Sequence, residues 1–413
     1  MSRPRAGKNR LSRRLFLLLG IPALLGAVGC SSFIKVPSNP FGTKQSRKHP
    51  RGQAITGNAT TILYASNGEF MAVLSEPRET DNAFERGIRA MSIQHGIRTL
   101  LLFNTAFQKP LPINPPCLAK IGYPVDIAFN KDDRLLIVSK SESDDLSLLQ
   151  ITPGEEEEKV QTILEGPLPY YSVQLSRGGD WLAGQCDDGS WELVDLTEPK
   201  RVLIFPKDKT IPNARGPITV VKIIDISPDG SLVATEYVDS DRTDSEKKSI
   251  AIWDLKAPRS VPLNEAVLPL TPLFVTSFYV NEPSIKPLGR FSPSSSSIAF
   301  RSKEDCVAVY QSANGALLAE LGEHGRKISA LDFAPTVPSL AVGLEGEQGT
   351  LFLWDIRKGK ILRSRSDRPE DEATGTITAL TIVPDGTLVQ YGTSHEMIRQ
   401  WDIRVEKKDS SRK

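Results

Sequence analysis

Ile328-Ser329-Ala330-Leu331-Asp332-Phe333-Ala334-Pro335, then Leu340-Ala341-Val342-Gly343, then Thr350-Leu351-Phe352-Leu353-Trp354-Asp355-Ile356, sets a pattern that the chain repeats at once. The second copy is Ile377-Thr378-Ala379-Leu380-Thr381-Ile382-Val383-Pro384-Asp385-Gly386, then Leu388-Val389, then Met397-Ile398-Arg399-Gln400-Trp401-Asp402-Ile403. Each copy holds three short apolar-alternating runs parted by turn residues. Period-two alternation over so few residues specifies half-buried strands, not helices.

The same order recurs upstream. Ile224-Asp225-Ile226-Ser227-Pro228-Asp229-Gly230 leads to Leu232-Val233-Ala234 and to Ile250-Ala251-Ile252-Trp253-Asp254-Leu255. Looser copies start at Phe291, Val173, Ile127 and Ile62. That makes seven units of about 50 residues, near the length of one propeller blade with longer loops. One four-stranded unit cannot bury both its faces, whereas a ring of seven can. The expected fold class is all-β: a β-propeller of seven blades, each of four antiparallel strands, over residues 59–406.

Trp253-Asp254, Trp354-Asp355 and Trp401-Asp402, with turns at Asp229-Gly230 and Asp385-Gly386, resemble the signature of WD-repeat propellers. The resemblance is strong in units four, six and seven and thin in the first three. It implies a binding scaffold for other proteins. Departures are plain. His324 follows Glu323 where the family has Gly-His, and His395 and Glu396 stand where unit seven should carry the tight-turn Asp. The family's internal hydrogen-bond set is therefore expected to be largely missing. The three tryptophans read as structural, filling space between blades, and the Asp-Gly pairs as hairpin turns needing positive φ.

The N-terminus reads as an address. Arg3 to Arg14 is basic, Leu15 to Val28 is apolar, and Ala27-Val28-Gly29-Cys30 follows. Fourteen apolar residues are short for a membrane span, which needs about 20, and suit a secretory signal. A retained membrane anchor is the competing reading. Arg13-Arg14 resembles the twin-arginine export signal. The run to Cys30 resembles the lipobox of bacterial lipoproteins, with Ala27 in place of the commoner Leu. The resemblance implies lipid on Cys30. The expected organisation is a signal peptide at 1–29, a flexible tether at 30–58, the propeller, and a polar tail at 407–413. The expected location is the cell envelope, on the periplasmic or extracellular side.

Charge is balanced, with 51 basic and 50 acidic residues, but six of the basic ones precede residue 30. Without that segment the body is mildly acidic, which argues against nucleic-acid binding. The cysteines Cys30, Cys117, Cys186 and Cys306 form no C-x-x-C pair, so zinc and redox motifs have no support; a Cys186–Cys306 bridge stays open. No nucleophile elbow or P-loop is present. His395-Glu396 lacks the second histidine of a zincin helix. Asp239-Ser240-Asp241-Arg242-Thr243-Asp244 fails the calcium-loop pattern at its fifth and sixth positions. No catalytic residue, cofactor or metal is expected.

Long insertions at 76–96, 239–248 and 344–349 fall between second and third strands. With the blade connections 109–124, 205–217 and 263–286, they should share one face and carry a protein partner. The segment Asn82 to Gln94 could form a short helix there. The expected function is an exported, lipid-anchored interaction scaffold. The alternatives are a propeller enzyme of hydrolase or lactonase type, or a glycan-binding module.

Overall fold

The computed structural model describes residues 53–54, 58–76, 98–105, 109–111, 121–141, 143, 145–154, 160–197, 202–205, 209–210, 217–239, 247–255, 272–279, 288–322, 324–367 and 375–404. Within them, strands alternate with tight turns, and every sheet pairing is antiparallel.

Seven sheets follow one another along the chain. Blade 1 holds β2 (Asn58–Tyr64), β3 (Phe70–Glu76), β4 (Thr99–Asn104) and β5 (Lys109–Leu111). Blade 2 holds β6 (Tyr123–Phe129), β7 (Leu135–Lys140), β8 (Leu146–Ile151) and β9 (Gln161–Leu168). Blade 3 holds β10 (Ser172–Leu175), β11 (Trp181–Gln185), β12 (Trp191–Asp195) and β13 (Val202–Phe205). Blade 4 has five strands: β14 (Lys209–Thr210), β15 (Pro217–Ile226), β16 (Leu232–Asp239), β17 (Lys247–Asp254) and β18 (Phe274–Tyr279). Blade 5 holds β19 (Gly289–Phe291), β20 (Ser297–Lys303), β21 (Cys306–Gln311) and β22 (Leu317–Leu321). Blade 6 holds β23 (Ile328–Phe333), β24 (Ser339–Leu344), β25 (Thr350–Asp355) and β26 (Lys360–Ser366). Blade 7 holds β27 (Ile377–Ile382), β28 (Leu388–Thr393) and β29 (Met397–Asp402). It is completed by β1 (Gln53–Ala54), which pairs with Met397 and Ile398.

The all-β, seven-bladed architecture is as the repeats imply; the insertions at 76–96 and 344–349 do fall between second and third strands, and 239–248 joins β16 to β17, the third and fourth of the five strands in blade 4. Three boundaries differ. Gln53 and Ala54 belong to the last blade, not to a tether, and Asn58 already opens β2. The last blade takes its outer strand from the other end of the ring, and two residues carry no legible alternation. β14 lies inside the stretch read as a connection at 205–217, paired to β15. β18 lies inside 263–286, so blade 4's outer strand stands where a blade connection was expected. The helix expected from Asn82 lies outside the described residues.

Hydrophobic packing follows the ring. Seven buried clusters form, one at each junction of neighbouring blades. The cluster between blades 3 and 4, for example, joins Trp181, Trp191 and Phe205 to Val233 and Trp253. The one between blades 7 and 1, with Ala379, Ile398, Ile62 and Phe103, closes the circle. All seven, and every strand, lie within the compact unit His49–Lys413.

Candidate functional site

The innermost long strands of the blades (β15 in blade 4) surround a central channel. A cavity of about 230 Å³ lies in it, lined by Thr61, Asp126, Gln174, Arg177, Lys222 and Arg290 among others. An aspartate interrupts the apolar inner strand in alternate blades: Asp126 in blade 2, Asp225 in blade 4 and Asp332 in blade 6. Each accepts a backbone amide from the next blade's inner strand. Leu175 donates to Asp126 Oδ2 at 2.7 Å, Phe291 to Asp225 Oδ2 at 2.8 Å, and Ile382 to Asp332 Oδ2 at 3.2 Å. These are charge-assisted bonds that fasten one blade to the next.

Cations balance the acids. Arg177 reaches Asp332 with both terminal nitrogens, at 2.6 and 2.9 Å. Arg290 lies 3.6 Å from Asp225. Burial pushes the Asp126 and Asp225 carboxyls upward, against the amides and arginines that favour the charged form. For Arg177, burial works against the charge but the Asp332 carboxylate outweighs it, so its pKa is raised. The acids thus fasten blades, and Asp225 and Asp332 pair with arginines. Among the described residues, no group of three or more His, Cys, Asp or Glu side chains could hold a metal ion.

The signature residues lie away from the channel. Trp253, Trp354 and Trp401 each fill the junction with the preceding blade. Trp253 Nε1 donates to Thr235 Oγ1 at 2.8 Å. In blade 6, His324 stacks edge-on to Trp354 at 5.4 Å, and the His324 Nε2 and Trp354 Nε1 atoms are buried without a hydrogen-bond partner. Burial lowers the His324 pKa. The indole is therefore hydrogen-bonded in blade 4, whereas in blade 6 ring packing stands in its place. Asp254, Asp355 and Asp402 end their strands; the Lys358 amide donates to Asp355 Oδ1 at 3.1 Å, and the Arg404 amide to Asp402 Oδ1 at 3.0 Å.

The Asp-Gly turns share one device. Asp229 Oδ1 accepts from the Ser231 amide at 3.0 Å and from Ser227 and Ser231 hydroxyls at 2.7 Å. Asp385 accepts from the Thr387 amide and hydroxyl at 2.9 and 2.7 Å. Gly230 and Gly386 take φ of 65° and 72°. Cys186 and Cys306 are both free thiols. Arg13, Arg14 and Cys30 lie outside the described residues. No helix among the described residues is long and apolar enough to cross a membrane.

Comparison with known proteins places these features. The family model for the WD domain, G-beta repeat, matches residues 315–355. That stretch takes the outer strand of blade 5 and three strands of blade 6, so the sequence repeat runs one strand out of phase with the blade. The same offset makes β1 the closing strand of blade 7. A WD repeat domain-containing protein 83 homolog from Dictyostelium discoideum is 27% identical over 105 residues, covering 25% of this chain and 30% of that protein. The match thus spans under a third of the relative. The β-propeller domain of Cps50 (Swd1) from Myceliophteria thermophila shares the fold, with a TM-score of 0.54 at 10% identity over 84% of this chain and 98% of that one. The chain carries a WD-type repeat at residues 315–355 and folds as a seven-bladed β-propeller.

Proposed function

We propose that this chain is an exported, lipid-anchored propeller that serves as a scaffold for protein partners in a bacterial cell envelope. WD-repeat propellers generally bind protein partners through a rigid ring. The observation that carries the reading is the use of the channel's charged groups. Asp126, Asp225 and Asp332 hold neighbouring inner strands, and Arg177 and Arg290 pair with two of them. A centre built this way stiffens a platform, and loops on a rigid platform are where binding concentrates. The blade connections and the insertions between second and third strands are the proposed partner face.

The anchored part of the reading rests on sequence: basic Arg13-Arg14, the apolar run, and Cys30 after small residues. Crosslinking and mass spectrometry on natively expressed, membrane-extracted protein tests the whole. Specific protein partners that disappear in Cys30→Ala support an anchored scaffold. A membrane-bound chain with no reproducible partner would count against it and favour the enzyme or glycan-binding alternative.

A further inference from the structure

Exposed apolar side chains mark the outer strands of four blades. Of the ten large apolar side chains exposed among the described residues, six lie on outermost strands of blades 3 to 6. They are Ile204 on β13, Val275 on β18, Leu317 and Leu318 on β22, and Ile361 and Leu362 on β26. In blades 5 and 6 the pair sits at the start of the outer strand, just after the turn from the third strand.

Blade 6 adds charge to this edge. Arg357, Lys358 and Lys360 are exposed in the turn and at the strand start, beside Ile361 and Leu362. Arg363 reaches over to Asp402 O of blade 7 at 3.4 Å, and exposed Arg404 pairs with Asp402. Over 355–367 and 397–404, exposed side chains are four cations (Arg357, Lys358, Lys360, Arg404) against one acid, Asp402. The Lys358–Asp355 pair at 3.6 Å is exposed on the lysine side and yields readily to another anion.

Position in the ring supplies the occupant. The chain enters the propeller at β1, the outer strand of blade 7, and Arg404 leaves from the same blade. Blade 6 is its neighbour. In sequence, 22 residues (31–52) separate Cys30 from β1. We propose that the edge formed by Arg357, Lys358, Lys360, Ile361 and Leu362 docks on an anionic lipid bilayer. This rests on the anchored reading above. The two apolar side chains enter the interface and the cations meet lipid phosphates, the combination that binds interfacial segments. The docked edge would leave the partner face of the ring free.

The test uses His49–Lys413, which holds every strand and all seven inter-blade clusters. It is sedimented with vesicles of phosphatidylcholine alone or mixed with phosphatidylglycerol. Binding to the mixed vesicles should exceed that to phosphatidylcholine about fivefold and fall with added salt. Ile361→Ser with Leu362→Ser, and separately Lys358→Glu with Lys360→Glu, should abolish the difference. Ile204→Ser, on the rim of blade 3, should keep it. These side chains are exposed, and an unchanged thermal midpoint verifies the fold of each variant. Equal sedimentation with both vesicles, or variants that bind like the parent, overturns the proposal. So does loss of a crosslinked protein in the rim variants with vesicle binding unchanged, which would make the edge a protein contact. Palmitate labelling of the full chain reads the anchor separately. Label on Cys30 without vesicle binding by the propeller sinks the edge alone; vesicle binding without label sinks the anchor alone.

Discussion

Arg177 of blade 3 and Asp332 of blade 6 stand 155 residues apart and form a two-pronged ion pair across the central channel. Most other ties in the ring join neighbours. Asp332 also accepts Thr381 Oγ1 at 3.1 Å and the Ile382 amide, so one buried carboxylate holds blades 3, 6 and 7 together. Arg177→Met would leave that carboxylate, 2% exposed, without its cation. The expected cost is about 3 kcal/mol, the usual result of breaking rather than replacing a buried pair. Denaturant unfolding checks it. Arg177→Met with Asp332→Leu should recover part of the loss, and a single variant as stable as the parent would show that the pair is no tie.

Local chemistry made the blades legible. Trp354-Asp355 and Trp401-Asp402 mark third strands, and Pro228-Asp229-Gly230 and Pro384-Asp385-Gly386 mark turns, because each feature is specified within a few residues. The channel was harder to read. Asp126, Asp225 and Asp332 each break an apolar inner strand, and that was a usable signal: a charge amid apolar residues needs a partner. Its partners could not be read, because an amide 49 or 66 residues on meets the carboxylate only when the ring closes. Arg177 lies in Ser176-Arg177-Gly178-Gly179, which reads as an ordinary turn. β1 and β14 have two residues each, too few for any periodicity. Pro262, Pro269 and Pro272 punctuate the stretch before β18, so that it reads as a connection and hides the strand behind it.

The tryptophans should differ in what they contribute. Trp253→Phe removes the donor to Thr235 Oγ1 and leaves that hydroxyl in a residue with no exposed surface. Trp354→Phe removes an indole nitrogen that has no hydrogen-bond partner. Both lose packing of similar kind. Thermal or denaturant unfolding should therefore find Trp253→Phe the costlier by about 1 kcal/mol. Equal losses would mean that the Trp253–Thr235 bond adds nothing.

Two glycines separate backbone strain from crowding. Gly359 has φ of 57° and open space around a would-be Cβ. Gly359→Ala should cost about 1 kcal/mol, from the left-handed backbone alone. Gly230 has φ of 65°, and a Cβ there would sit 2.5 Å from Trp181 Nε1. Because Trp181 is buried between blades 3 and 4, Gly230→Ala should cost about 3 kcal/mol, strain plus overpacking. A Gly230 variant no worse than the Gly359 one would show that Trp181 moves aside freely.

Asp229 should make its turn acid-sensitive. Burial works to raise its carboxyl, but the hydrogen bonds from Ser227 and Ser231 prevail and hold the pKa at about 2. A carboxyl lowered in the folded state stabilises above its unfolded value and loses that stabilisation as pH falls through the folded one. The window therefore runs from about pH 4 down to about pH 2. Asp126 and Asp225 are shifted the opposite way by burial, so their stabilisation is lost as pH rises above the usual carboxylate range, and the raw acid limb mixes both signs. The difference between the parent and Asp229→Asn cancels the shared part. That difference should be about 1 kcal/mol at neutral pH, and because Asp229 is exposed, screening keeps its pH-dependent share modest. Urea unfolding at neutral pH and at successively lower values should show the gap narrowing below about pH 4. A gap that stays constant down to the acid limit would mean that the serines bind the neutral carboxyl as well as the charged one.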